Sequence, residues 1–116
     1  MAGHIVKLPV IVGGVVGDGY GPTEAGIFMG VFVVATGVVD ATDANTSEEE
    51  VFTVAGLKAG DIVLSFVKPT SQAGLGVVGS RVSADDTLAV TYMNTTAAPV
   101  TASSEDCTLI ILRVNQ

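Results

Sequence analysis

The chain has 116 residues, 48% of them apolar and 15% charged, and its five Lys and Arg against twelve Asp and Glu give a net charge of −7. Phosphate neutralisation needs clustered cations, and Lys7, Lys58, Lys68, Arg81 and Arg113 are scattered along the sequence, so binding to nucleic acid is not expected. Soluble domains average about 25% charged residues. A chain this small cannot hide so many Val, Ile and Leu side chains inside itself, so other chains are expected to cover part of it, most simply as a homo-oligomer.

Residues 1–26 read as an N-terminal arm followed by a glycine-rich loop. Pro9 cannot donate a ladder hydrogen bond, so the arm suits an edge strand or an extended strap better than a central strand. Ile5, Val6, Leu8, Val10 and Ile11 form an apolar strip there and are the candidate partner-binding residues. The competing reading makes the same segment the first strand of the domain. The apolar run beside Lys7 is faintly signal-like, but no small-residue cleavage site follows it, so no removed leader is expected. The loop GGVVGDGYGPTEAG at 13–26 matches neither G-x-x-x-x-G-K-[ST] nor G-x-G-x-x-G, and nucleotide binding is not expected.

Residues 27–116 read as the folded domain. Ile27 to Val39 is the longest apolar run, interrupted by Gly30 and Gly37 and shorter than the roughly 18 residues that a membrane helix requires. It reads as a buried strand or strand pair, and no membrane partner is expected. Further strands are expected near 50–55, 61–67, 75–82, 87–94 and 107–114, where apolar bursts alternate with Gly, Pro, Asp and Asn. Simple alternation sets Ile62, Leu64 and Phe66 opposite Val63, Ser65 and Val67, and Leu88, Val90 and Tyr92 opposite Ala89, Thr91 and Met93. Both faces are apolar, as in strands covered on two sides. Gly56 and Gly60 can supply positive φ, and Ser83 to Asp86 forms a hairpin tip. The one helical candidate, Thr46 to Val51, starts like a capping box but is too short. The expected fold is all-β, an antiparallel β-sandwich, jelly-roll-like or immunoglobulin-like, in a single domain with an extended N-terminal arm.

No residue set for catalysis is legible. His4 is the only histidine and lies near the chain start, without a G-x-S-x-G or similar signature elsewhere. Cys107 is the only cysteine and opens the apolar run CTLIILRV, so it reads as a buried thiol. One His and one Cys do not make a zinc site. The acidic segment from Asp40 to Glu50 fails an EF-hand count, with Glu48 where Gly belongs and Val54 where Glu belongs, and reads as a solvated acidic loop. Asp85-Asp86 and Glu105-Asp106 are adjacent carboxylates that point apart in extended chain. Asn45-Thr46-Ser47 and Asn94-Thr95-Thr96 fit the glycosylation pattern, which is common by chance. No enzyme activity, cofactor or metal is expected.

Within residues 50–114 a series of phrases follows in order: Gly56-Leu57 and Gly60-Asp61, Lys68-Pro69-Thr70, Gln72-Ala73-Gly74-Leu75, Arg81-Val82-Ser83-Ala84, Thr87-Leu88, and Asn94-Thr95-Thr96-Ala97-Ala98-Pro99. This wording resembles small virion proteins of tailed bacteriophages, above all the capsid decoration or cement proteins. The resemblance implies a non-enzymatic β-sandwich that stabilises a capsid from its outer surface by binding the major capsid protein, as a homo-oligomer, a trimer first and a dimer second. The alternative it leaves open is a tail or fibre module for host-surface binding. That role favours exposed aromatics, and the chain has no Trp, two Tyr and four Phe. Residues 1–49 carry no such likeness.

Overall fold

The computed structural model describes residues 4–8 and 26–115, the first span by its backbone. Among the described residues seven strands make up two antiparallel sheets: β1 (His4–Leu8), β2 (Gly26–Ala35), β3 (Thr46–Thr53), β4 (Ile62–Val67), β5 (Leu75–Ala84), β6 (Thr87–Asn94) and β7 (Asp106–Asn115). One sheet has the order β1-β2-β7-β4 and the other β3-β6-β5. The all-β sandwich read from the sequence is therefore the fold. Compared with the constant-type immunoglobulin order, the fifth and seventh strands have changed places. The cause is local: β5 and β6 form a two-residue hairpin through Asp85 and Asp86, with Asp86 at φ 57°, so β5 must lie beside β6.

Period-2 alternation sends Phe32 and Val34 of β2, Leu88, Val90 and Tyr92 of β6, and Cys107, Leu109 and Ile111 of β7 into the space between the sheets. Val39, Val54, Leu57 and Ala102 close that core from the loops. Phe32 is slotted between two glycines. A Cβ on Gly30 would stand 2.7 Å from its ring and one on Gly56 3.2 Å, and Gly56 also holds φ at +100°, so both positions require the missing side chain.

Two strands depart from the sequence expectation. The β4–β7 register shifts between Val63 and Ser65, and this extra residue breaks the alternation. Phe66 thereby joins Val63 against the core, while Ile62, Leu64 and Val67 all stand in the open, so β4 is not covered on two sides by its own chain. The acidic segment is not a loop throughout: Thr46–Thr53 is a strand in full register with β6, and its Ser47, Glu49, Val51 and Thr53 are exposed while the residues between are half-buried. Its pairing with the apolar β6 outweighs the low strand preference of three consecutive Glu. The apolar run that begins at Ile27 leaves the sheet after Ala35, and Val38 is almost wholly exposed.

The chain changes sheet after β2, β3, β4 and β6, so its connections collect at two ends of the sandwich. At the upper end the 36–45, 68–74 and 95–105 segments meet around Asn94, which is 1% exposed. Its Nδ2 donates to the carbonyls of Thr42 (3.0 Å), Asp43 (3.2 Å) and Ala98 (2.8 Å), and its Oδ1 accepts from Thr96 N (2.9 Å) and Thr96 Oγ1 (2.8 Å). Replacing Asn94 by Ala orphans those buried groups and is expected to lower unfolding free energy by about 2–3 kcal/mol, read as a fall in urea midpoint. Asn94→Asp is expected to be worse than Asn94→Ala, because a carboxylate oxygen would then face three carbonyls.

Candidate functional site

The strand positions that alternate away from the core on β2, β7 and β4 line up across the four-stranded sheet as rows. Met29, Leu112 and Ile62 form one row, Val31 and Ile110 a second, Val33, Thr108 and Val67 a third, and Ile27 with Val114 a fourth. Leu64 stands beside them at the bulge. Ile62, Leu64 and Val67 are 50–51% exposed, and Val31 and Val33 are 44% and 41% exposed. Among the described residues the only charged side chain at these positions is Asp106, on the upper rim opposite Ala35.

The outer face of the three-stranded sheet has a different character. It presents Ser47, Glu49, Thr53, Thr87, Thr91 and Arg81 among the exposed apolar Val51, Met93 and, at the β5 bulge, Val78, and Arg81 reaches across β6 to pair with Glu49 at 3.2 Å. That pair is exposed and contributes little to stability. The uncharged face is thus a property of one sheet, not of the composition.

The two ends of the sandwich are fastened by polar side chains. At the lower end Asp86 Oδ1 accepts from Gly56 N and Asp85 Oδ1 from Ala59 N, tying the β5–β6 hairpin to the 54–61 loop. Asp61 accepts from Lys58 N and takes two 2.6 Å hydrogen bonds from Arg113, which also donates to the Gly56 carbonyl. Burial works to raise the Asp61 carboxyl, but the Arg113 guanidinium and the Lys58 amide outweigh it and hold the group below its ordinary 3.8. At the upper end Lys68 pairs with Glu105 at 3.1 Å, and Gln72 bridges Lys68 to Thr101 and Ser103. The Thr70 hydrogen bond is the main force keeping Glu105 below the usual carboxylate range, with Lys68 adding to it against the effect of burial.

Of the strip predicted to bind a partner, Ile5, Val6 and Leu8 lie in β1, opposite Gly30, Met29 and Ile27, at one edge of the four-stranded sheet. Val10 and Ile11 lie outside the described residues. His4 stands opposite Val31. Cys107 is 1% exposed, and burial, aided by the Glu105 charge, pushes its thiol up to about 11. Among the described residues no group of three or more His, Cys, Asp and Glu is placed to hold a metal. Glu48 accepts from Asp43 N, and partial burial together with the Asp40 and Glu48 charges raises Glu50. No helix among the described residues is long and apolar enough to cross a membrane. The uncharged sheet face itself did not emerge as a site from the sequence, although the double-sided apolarity of 62–67 and 107–114 was its signal.

Comparison of the chain with protein-family models, curated proteins and solved structures found no match.

Two measurements probe these fastenings. Because Asp61 titrates lower in the folded than in the unfolded chain, its contribution is complete above about pH 4 and is lost as pH falls through the folded value. Asp61→Asn is therefore expected to be less stable at neutral pH and to show a shallower acid limb in a plot of urea midpoint against pH. The Cys107 thiol is expected to resist a bulky disulfide reagent at about pH 8 and to react at a rate that follows unfolding as urea is added.

Proposed function

We propose that this protein is a non-enzymatic structural component of a tailed-phage virion that decorates and stabilises the capsid from outside by binding the major capsid protein, acting as a homo-oligomer. The observation that carries the reading is the position of β1. This five-residue strand, HIVKL, is the last in its sheet and among the described residues pairs with β2 alone. An edge strand keeps a row of backbone groups for a further strand, and addition of a strand from a partner gives affinity through main-chain bonds with selectivity from alternate side chains. Repetition over a lattice multiplies weak contacts into firm retention. The wording of residues 50–114 supports the virion assignment, while the scarcity of aromatics, with no Trp, two Tyr and four Phe, speaks against a sugar-binding tail module.

Deleting residues 2–12 tests the reading. The β2-β7-β4 ladder and the clustered core residues all lie beyond the deletion, so the shortened chain is expected to fold, with a modest fall in Tm, and to lose co-sedimentation with capsids stripped of the native protein. Retention equal to that of the full chain, or recovery of the protein only in tail fractions of disrupted virions, would overturn it.

A further inference from the structure

We infer that the uncharged outer face of the four-stranded sheet is a self-association surface, and that its occupant is the same face of a second copy of this chain. This does not rest on the capsid reading, because it concerns the isolated protein.

Size is the first ground. Ile62, Leu64, Val67, Val31, Val33 and Val114 are each more than a third exposed and adjoin in register across β2, β7 and β4. Together with the half-buried Met29, Ile110 and Leu112 they leave several hundred Å² of apolar side chain in water, matching the largest patches on ordinary monomers, which run to about 300–600 Å². With its rim, such a face approaches the roughly 800 Å² per partner of a stable interface.

Charge identifies the occupant. The chain carries −7, and among the described residues its acids lie on the end loops, the three-stranded sheet and the hairpin tip, apart from Asp106 at the upper rim of the face. Two copies meeting through those regions would bring carboxylates together. Across the uncharged face they meet without that repulsion. An unlike partner of either sign would find no complementary charge to steer it or set its register, whereas a copy presents the matching apolar rows. Flat sheet faces of β-branched residues pack in alignment about 10 Å apart. Such a contact is isologous and closes at two, so the assembly is a pair rather than the trimer that the phage resemblance implies.

Sedimentation equilibrium of the full chain at roughly 10–100 µM tests this, since mass action at those concentrations populates pairs of moderate affinity. The wild type is expected to run as a pair. Leu64→Glu puts a charge into the contact from both copies, at the half-exposed bulge of β4, and is expected to run as a single chain with an unchanged far-UV spectrum. Leu64→Asn, milder at the same half-exposed site, is expected to weaken pairing at least tenfold. Val38→Glu adds the same charge on an exposed loop off the face and is expected to pair as the wild type does. A wild type that is monomeric at the upper concentration would sink the inference, as would pairing that survives both Leu64 variants.

Discussion

Everything in this molecule depends on keeping two sheets together with a chain that switches between them at four of its connections. Each switch leaves an irregular segment whose backbone groups have no ladder partner, and those near the core need polar side chains to replace water. Asn94 does this for two segments at once from a wholly buried position at the end of β6. Phe32, in its slot between Gly30 and Gly56, then fills the volume that the fastened loops enclose.

The Gly-, Pro- and Thr-rich phrases between residues 56 and 99 turn out to be the fasteners. Gly56, Asp61, Lys68, Thr70, Gln72, Asn94 and Thr96 all hold one loop to another or to a strand. A residue whose donors and acceptors are taken up inside the fold has little left for a partner. The outer face of β2, β7 and β4 has no such fastening role.

Much of the architecture was legible because it depends on near neighbours. Alternation in 87–94 sent Leu88, Val90 and Tyr92 to one side, and they are core; Gly56 and Gly60 were marked for positive φ, and they have it. What escaped depends on distant pairing. Glu48, Glu49 and Glu50 are poor strand formers that lie in a strand because β6 stands beside them. The β4 bulge reverses Phe66 through a slip against β7 that no property of DIVLSFVK encodes alone. The open face is a further step removed: apolarity on both sides of β4 and β7 is visible in the residues, but which side stays bare follows only from the sheet order. Val10 and Ile11 fall outside the described residues, so the extent of the strip beyond β1 is set by sequence alone.

The place of β7 has a consequence for how the fold forms. It sits between β2 and β4, pairing Gly26 with Asn115 at one end and Ala35 with Asp106 at the other. On the ribosome, β2 and β4 emerge with no strand between them and wait until the last strand of the sheet has been made. The β5–β6 hairpin with β3 can assemble earlier, but its inner face has nothing to pack against until then. Folding of the four-stranded sheet is therefore a late event dominated by contacts between distant parts of the chain, a topology that folds slowly and leaves apolar strands open to aggregation on the way.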